Sequence, residues 1–322
     1  MARTIGAVTS ALALLALAGC SQETPLTTPD GSPISTVTTR VAEVNIVNAD
    51  RDLTQTCLAP TAPDPGVADV ARIVVTDPAL LDDVCALGLG PKVTAIAADG
   101  AVPTYLGPQL GAVPVIGATP DARAADQADP DVVLTTPRTE ATAKSFGDAH
   151  VATVASGDGW QERFRSVAEA LGRTEAGTRL LDEFHTETAK TGRRMDAAHN
   201  QVSLVRFTGD SEMIAGTDTF AGQILAEIGI QRPAPQRTPS SFTLTDKNFT
   251  DADADLIYVS FQGERGLAHG KEVLLDDRWL DMGAPTWKRV LSVDDEIWYQ
   301  TSGLAAAWLV LNDVKGSLDG NS

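Results

Sequence analysis

The residue with the most distinctive chemistry is a cysteine near the start of the chain. Arg3 is followed by a leucine-rich apolar run and then by small residues that end in Leu17-Ala18-Gly19-Cys20. A charged start, an apolar centre and small residues before a cleavage point are typical of a secretory signal. A thiol directly after that point resembles the bacterial lipobox, in which the cysteine is acylated and becomes the new N-terminus. We therefore predict a signal peptide at residues 1–19 and a lipid anchor on Cys20; an ordinary signal peptide is the alternative.

Two further cysteines, Cys57 and Cys85, remain once Cys20 is acylated. Two thiols outside the cytosol suggest one disulfide, which would tie the segment before the first strand to the first helix. Two buried free thiols or a metal pair are the alternatives, although no histidine stands at ligand spacing from either cysteine. The chain also has no serine elbow, no phosphate loop and no metal-hydrolase histidine pair. We therefore predict no metal site, no catalytic residue and no enzyme activity.

Two arginines stand at or near the ends of predicted strands, where a side chain can reach a ligand. Arg138 comes soon after the strand at 131–135, and Arg206 lies near the end of the strand at 202–207. A guanidinium group is permanently charged and offers forked donors that match the oxygens of an anionic ligand. We predict that both arginines bind such oxygens, with a surface or interlobe salt bridge as the alternative for each. Arg237 and Arg265 lie in polar loops and are interpreted as surface residues.

The charge balance limits the partners. The chain has 25 basic and 43 acidic residues, a formal net charge of −18, which argues against nucleic acid or an anionic membrane surface as the partner. After the signal, no stretch approaches the roughly 20 apolar residues that a membrane-spanning helix needs. Residues 21–40 are rich in Thr, Ser and Pro and are predicted to form a flexible tether. Contact with the membrane is therefore expected through the acyl anchor.

The elements that must position these residues alternate between strands and helices. Near-continuous β-branched runs between short helices indicate parallel sheets that are covered on both faces. The predicted strands are 72–76, 93–97, 113–116, 131–135, 151–154, 202–207, 256–260, 287–291 and 297–299. The fold class is α/β, with two lobes of mostly parallel sheets flanked by helices and joined by a long linker helix.

The change of pattern along the chain gives the predicted domain organisation. Residues 20–66 form the lipid-anchored tether and N-terminal segment, and residues 67–159 form an N-terminal α/β lobe. Residues 160–196 form the linker helix, either as one helix or as two in tandem broken near Gly172. Residues 197–322 form a C-terminal α/β lobe.

Several motifs resemble those of a known family. Asp77-Pro78-Ala79-Leu80 through Gly88-Leu89-Gly90 resembles the first strand–helix of class III substrate-binding proteins, the helical-hinge partners of iron-siderophore, haem and cobalamin importers. The segment 128–134 is similar to an element that leads into a strand in that family. The second-lobe motifs resemble actinobacterial siderophore-binding lipoproteins, of which the FecB-type iron-binding lipoproteins are the most similar subgroup: Val205-Arg206-Phe207, Thr219-Phe220-Ala221-Gly222, Arg232-Pro233 and Trp287 to Val293.

The resemblance covers nearly the whole chain after Val67 and implies both fold and function. It implies a class III periplasmic-binding-protein fold that captures a ferric chelate, of the siderophore or iron-dicitrate type, between two lobes for ABC-type import. The chain would have no cofactor of its own, would act as a monomer and would hand its ligand to an ABC permease. The alternative is a haem-binding or envelope-maintenance lipoprotein on the same fold, without a transport partner.

Ligands in such sheets bind outside the carboxyl ends of the strands. Five residues are predicted to join the two arginines there, four of them as a flat apolar wall with core packing as the alternative: Tyr105, Phe207, Phe261, Gln262 and Trp298. Tyr105 is the candidate axial ligand if the cargo is haem. Trp287 and Trp308 lie in apolar periodic runs and are predicted to be core residues.

The resemblance also concerns the surface that meets the permease. Family members usually carry one exposed glutamate per lobe that docks onto permease arginines. The comparable positions fall on Arg123 in the first lobe and near Gln223 in the second. A reversed charge there would repel a standard permease. The expectation is therefore a different transporter or none, unless Asp121, Asp126 or Glu227 substitutes.

Overall fold

The computed structural model describes residues 42–155 and 159–318. The predicted signal peptide, the Cys20 anchor and most of the tether lie outside the described residues. Among the residues described, no helix combines the length and the apolar character needed to cross a membrane.

Four parallel strands form the first sheet. They are β2 (Ile73–Val75), β3 (Val93–Ile96), β4 (Val132–Thr135) and β5 (His150–Thr153), in the spatial order β3-β2-β4-β5. All three residues of β2 are fully buried, because helices cover both faces of the sheet. These helices are α1 (Leu81–Ala86), α2 (Gly107–Gly111), α3 (Ala122–Ala128) and α4 (Glu140–Ala143).

The predicted strand at 113–116 is wrong as a full strand. Only Val115 pairs, through an isolated parallel bridge to Ile96. Pro114 stands beside it and has no N–H to donate, so a continuous ladder cannot form at this edge.

Two tandem helices follow, α5 (Trp160–Ala170) and α6 (Thr174–Arg194). They are separated at Gly172, which has a φ of 62° that glycine adopts at little cost. Of the two predicted alternatives, the linker therefore has the form of two tandem helices. Arg173 is fully buried at the break, where it pairs with Asp69 and donates Nε to the carbonyl of Thr61 at 3.1 Å.

The second sheet has six strands, in the order β1-β10-β9-β6-β7-β8. The strands are β1 (Asn45–Ile46), β6 (Val202–Phe207), β7 (Glu212–Ile214), β8 (Phe242–Thr243), β9 (Leu256–Phe261) and β10 (Val290–Ser292). The strands β1, β10, β9 and β6 run parallel, whereas β7 and β8 are antiparallel. The two-residue β1 was not predicted, and it places a segment near the start of the chain at the edge of the C-terminal sheet.

The helices of this half are α7 (Phe220–Ile228), α8 (Gly263–Val273), α9 (Asp277–Leu280), α10 (Gly283–Thr286) and α11 (Leu304–Leu318). The predicted strand at 297–299 is wrong, because these residues belong to a π-helical turn, Glu296–Gln300. The prediction that Trp287 is a core residue is also wrong, since Trp287 is 76% exposed. Trp308 is partly buried and packs against the core as predicted.

One apolar core extends across both sheets. It contains Ile73 and Val75 from the first sheet together with Leu204 and Tyr258 from the second. A disulfide joins Cys57 to Cys85 of α1, the pairing that the sequence suggests, and it attaches the segment after β1 to the first sheet's helices.

Candidate functional site

The carboxyl ends of the two sheets' parallel strands adjoin one another. Thr104, in the loop after β3, donates its backbone N–H to both carboxylate oxygens of Glu296 at 3.1 Å, and its hydroxyl also donates to this carboxylate. Glu296 follows β10, so this contact joins a carboxyl-end loop of the first sheet to one of the second. We call the space bordered by the loops after β2, β4, β6, β9 and β10 the candidate cleft, since ligands bind at such edges.

Arg138 lies after β4 with its side chain 76% exposed. One of its nitrogens, Nη2, donates to Oδ2 of Asp77 at 3.0 Å. The same oxygen accepts from the hydroxyl of Thr136 at 3.0 Å, while Oδ1 accepts from the backbone N–H of Ala79 at 3.1 Å. Asp77 therefore holds one corner of the guanidinium group, and no other residue that the structure describes bonds to its remaining donors, which can reach a ligand. The ligand-binding role of Arg138 stays a prediction.

Arg206 has a different environment from Arg138. Its Nε and Nη2 donate to the two carboxylate oxygens of Asp295 at 2.7 and 2.8 Å, and its side chain is only 12% exposed. The carboxylate also accepts from Ser260 at 3.0 Å and from Gln300 at 2.6 Å. Burial opposes ionisation of Asp295, but hydrogen bonds from Arg206 and Gln300 outweigh burial and lower its pKa. The bidentate donors of the Arg206 guanidinium group are thus already bonded to Asp295, and a ligand would have to compete with that carboxylate for them.

Tyr105 does not face the candidate cleft. Its ring is buried, and its hydroxyl lies 2.8 Å from Oδ2 of Asp82 and 2.7 Å from Oγ1 of Thr301. Burial, together with the charge of Asp82, raises the pKa of Tyr105 far above its usual value. The expectation that Tyr105 contributes to a ligand wall or ligates haem is therefore corrected, because the hydroxyl is already bonded within the core.

Two more rings of the predicted wall are core residues. Phe207 is fully buried and stacks on Phe261 with ring centroids 5.4 Å apart. Trp298 is fully buried and donates its indole N–H to Asp313 at 2.9 Å. Phe261 is partly buried and stays a candidate, as does the exposed Gln262 that follows β9. The structure thus favours core packing for most of the predicted wall.

Arg265, interpreted from the sequence as a surface residue in a polar loop, belongs to a helix and is a candidate for ligand binding. It lies in the first turn of α8, three residues after Gln262, and is exposed. A Cβ on Gly209, in the turn after β6, would lie 3.0 Å from its Cζ, so the guanidinium group rests against that turn. Its position just beyond the end of β9 is the signal that could have identified it.

A buried polar group joins the lobes behind the candidate cleft. Asp82 of α1 accepts from the backbone N–H groups of Ala305 and Ala306 at 2.9 Å each, and so caps α11. Next to it, Asp83 accepts from Nε of Arg163 at 2.7 Å, and Arg163 also donates to the carbonyl of Ser302. Burial raises the pKa of Asp83 to about 7, against the opposing charge of Arg163. We call Asp82, Asp83, Tyr105, Arg163 and Ser302 the interlobe cluster.

The two predicted docking positions are exposed helix residues without a carboxylate. Arg123 lies on α3, and Gln223 lies on α7 with its amide donating to the carbonyl of Asp218 at 3.0 Å. Glu227 is half-buried and accepts from Thr188 at 3.1 Å, so it is engaged inside the fold. The docking role of Arg123 and Gln223 stays a prediction.

Histidine, cysteine and carboxylate side chains are dispersed across the part of the chain that the structure describes. Within it, no group of three or more is arranged to hold a metal ion.

Comparison with known proteins places these features in a family. The sequence pattern of the family described as "Periplasmic binding protein" matches residues 73–297. The "Probable siderophore-binding lipoprotein YfiY" of Bacillus subtilis (strain 168) is 26% identical over 169 residues, which are 48% of this chain and 52% of that protein. The chain therefore aligns with about half the length of this curated relative.

Solved structures of similar fold include Staphylococcus aureus SirA complexed with staphyloferrin B and the periplasmic haem-binding protein RhuT from Roseiflexus sp. RS-1. SirA has a TM-score of 0.62 and 18% identity, covering 78% of this chain and 94% of SirA. RhuT has a TM-score of 0.56 and 22% identity, covering 77% of this chain and 97% of RhuT. At these identities the likeness concerns the fold, and it confirms the expected two-sheet architecture. The sequence match spans both sheets and the helices between them: the chain belongs to the periplasmic binding protein family.

Proposed function

We propose that this chain is an extracytoplasmic solute-binding lipoprotein that captures a ferric chelate in the candidate cleft for ABC-type import. Its anchor would be a lipid on Cys20. Membership of the periplasmic binding protein family supports a binding role, and the names of YfiY and of the SirA complex point to siderophores as the ligand class. The observation that carries the proposal is the exposed guanidinium of Arg138, held at the carboxyl edge of the first sheet by Asp77.

The charges at the candidate cleft suit an oxygen-rich chelate. Ferric siderophores and ferric citrate surround the metal with oxygens, several of which remain exposed on the complex. Arg138 and Arg265 present guanidinium donors from the first and second sheets, respectively. Such donors form charge-assisted hydrogen bonds with anionic oxygens.

Haem is the second candidate ligand, because RhuT has the same fold and binds it by name. The residue predicted to ligate haem iron, Tyr105, is bonded to Asp82 and Thr301 in the core. A haem ligand would need a different axial residue, so the described residues favour a chelate. A role in envelope maintenance without a transport partner is supported only by the unusual side chains at Arg123 and Gln223.

The decisive experiment is a tryptophan-fluorescence titration of a chain that starts at Ser21. Ferric citrate, a ferric hydroxamate, a mycobactin-type ferric chelate, haem and free Fe(III) would be compared. We expect saturable quenching by one ferric chelate and none by its iron-free form. Saturation by haem alone would replace the chelate with haem, and silence across the panel would overturn the binding function.

Variants locate the ligand within the candidate cleft. Arg138→Ala should weaken chelate binding about 10- to 100-fold, because one or two charge-assisted hydrogen bonds are lost. Its thermal midpoint should stay close to that of the wild type, since the side chain is exposed. Arg179→Ala, an exposed arginine on α6, is the matched control and should bind normally. Equal affinity of Arg138→Ala and wild type would move the ligand away from Asp77 and Arg138.

A further inference from the structure

The parallel strands of the second sheet begin at the edge opposite the candidate cleft. Their amino ends bring together residues that lie within three positions before β1, β9 and β10. We call these residues the basal edge: Glu43, Asp255, Trp287, Lys288 and Arg289. A cavity of about 490 Å³ opens beside them, lined in part by Ile46, Asp255, Lys288 and Arg289.

Trp287 is the most exposed large apolar side chain among the described residues, at 76%. Its ring contacts no other aromatic ring or cation within the ranges 42–155 and 159–318. Core packing therefore does not account for a tryptophan here. Exposed apolar patches rimmed by polar groups mark interaction surfaces, and Ile46, which lines the cavity at this edge, is also exposed, at 68%.

The two residues that follow Trp287 are cations in an unusual backbone. Lys288 has a φ of 58°, a left-handed conformation that is unfavourable for an L-residue and that glycine adopts freely. Lys288 pairs with Glu43 at 2.8 Å. Arg289 is exposed, and its guanidinium has no partner within the described part of the chain. Lys288 therefore occupies a backbone position that favours glycine, and it lies between Trp287 and a second cation, Arg289.

The start of the described chain lies at the same edge. Residue 42 immediately precedes Glu43, which is paired with Lys288. The predicted tether, residues 21–40, therefore ends within three residues of Glu43 at the basal edge. A flexible chain of that length has a root-mean-square span of about 25 Å. A membrane anchor on Cys20 would keep a bilayer within a short distance of Trp287.

We propose that the basal edge rests on the phospholipid surface of the anchoring membrane, with Trp287 in the interfacial region and Lys288 and Arg289 beside lipid phosphates. The proposal rests on the anchor proposed for Cys20. Tryptophan is favoured at membrane interfaces because its ring is apolar and its N–H is polar. Cations that lie near an anionic lipid surface are attracted to it.

The net charge of −18 does not prevent this contact. At physiological salt, charges more than about 8 Å from the lipid are largely screened. Near the contact, Lys288 and Arg289 face two carboxylates, Glu43 and Asp255. Glu43 is paired with Lys288, and Asp255 accepts from the backbone N–H of Gln201 at 2.8 Å. The basal edge is therefore close to neutral locally, although the chain as a whole is acidic.

The consequence for ligand capture is an orientation. With the basal edge on the lipid, the carboxyl ends of the strands and the candidate cleft point away from the membrane. Ligand would then be collected from the side that faces the surroundings, and the basal edge must leave the lipid before the cleft can face a permease.

Contact of the basal edge with lipid can be tested on vesicles to which the chain is attached by a tag in place of the acyl anchor. The chain from Ser21, with an N-terminal hexahistidine tag, is held on vesicles that contain a nickel-chelating lipid. Bromine-labelled acyl chains quench only tryptophans that enter the bilayer. We expect quenching of the emission that belongs to one of the five tryptophans, stronger with phosphatidylglycerol than with phosphatidylcholine alone. Trp287→Phe should abolish it.

A pair of double variants distinguishes the effect of the two cations at the basal edge from the effect of the net charge of the chain. Lys288→Gln with Arg289→Gln should reduce the quenching, whereas Lys247→Gln with Lys271→Gln, which removes the same charge elsewhere on the second half, should not. Equal signals in wild type and Trp287→Phe, or none in either, would overturn the proposal. So would a concentration-dependent dimer that shields Trp287 without vesicles. The tag replaces the acyl group, so the vesicle experiment tests the basal edge even if Cys20 is not acylated in the native protein. Acyl labelling of the wild type and of Cys20→Ala tests the lipid anchor separately.

Discussion

Arg206 and Asp295 form a bidentate pair in which Ser260 and Gln300 satisfy further acceptor sites of the carboxylate. Arg138 has a similar position after a strand but keeps most of its guanidinium exposed. The sequence predicts the same ligand role for both, because one-dimensional spacing does not show which acid folds against which base. Asp295 lies 89 residues from Arg206, so only the tertiary fold reveals that the fork of Arg206 is filled.

Replacing Arg206 tests this difference. Arg206→Ala leaves the half-buried carboxylate of Asp295 without its cation, so we expect a loss of about 2–4 kcal/mol in the free energy of unfolding. Urea denaturation measures it, with Arg138→Ala as the control that should unfold near the wild-type midpoint. The double variant Arg206→Ala/Asp295→Ala should recover part of the loss. A wild-type midpoint for Arg206→Ala would mean that the pair contributes nothing to the fold.

Asp83 predicts a pH dependence of stability. Burial raises its pKa to about 7 in the folded protein, compared with about 3.9 in an unfolded chain. Between these values the folded state binds more protons than the unfolded state. The contribution of Asp83 is therefore fully present below about pH 4 and is lost as the pH rises through about 7.

The matching variant is Asp83→Asn, which cannot titrate. Urea unfolding at pH 5, 6, 7 and 8 should show a flatter profile for this variant than for wild type. Asp210→Asn, an exposed change of the same kind, should keep the wild-type slope. Parallel profiles for Asp83→Asn and wild type would show that Asp83 ionises normally despite its burial.

Helix α8 packs closely on the aromatic rings beneath it. A Cβ on Gly270 would overlap the ring of Phe261 and approach the ring of Phe207 to 3.0 Å, and one on Gly266 would overlap the carbonyl oxygen of Phe207. Glycine lowers helix propensity by about 1 kcal/mol relative to alanine. The close approach of α8 to β6 and β9 requires glycines in spite of that cost.

Gly270→Ala should therefore destabilise the protein by about 1–3 kcal/mol, because overpacking against Phe261 outweighs the gain in helix propensity. Gly111→Ala is the matched control, since its added methyl group meets open space. Thermal unfolding of both variants measures the difference. Stabilisation by Gly270→Ala would show that α8 can move away from the rings at little cost.

The glycines of α8 lower its helix propensity, so the sequence pattern does not predict this helix. The buried strands, by contrast, are predicted. Runs such as Ile73-Val74-Val75 are β-branched and fully buried, and their sequence pattern reflects that environment. Ile297-Trp298-Tyr299 has the same strand-like composition but folds as a π-helical turn, with Trp298 bonded to Asp313. Tertiary contacts override local propensity there, and no local pattern reveals them. The candidate site was predictable as a set of loops, but its inward-facing rings were not distinguishable from core residues.

Both sheets share one apolar core, and the interlobe cluster joins their helices. Asp82 of the first half caps α11 of the second, and Arg163 links α1 to the segment before α11. The lobe boundaries at 67–159 and 197–322 stay a proposal, because β1 pairs with β10 from outside either range.

We expect the shared core to unfold as one cooperative unit. In scanning calorimetry, the calorimetric and van't Hoff enthalpies of the chain from Ser21 should agree. Two separate transitions would indicate that the lobes are independent domains. Ligand-induced movement would then be a rotation between rigid bodies rather than a small adjustment about the interlobe cluster.

The pairing of Asn45 with Leu291 has a consequence for the order of events during biogenesis. A chain that emerges N-terminus first presents β1 long before its partner strand exists. Parallel pairing across such a sequence separation is slow, because loop closure must precede the contact. The first sheet can form early, from residues 73–153, whereas the edge of the second sheet stays incomplete until residues 290–292 have appeared. Completion of the second sheet during synthesis therefore depends on the arrival of β10.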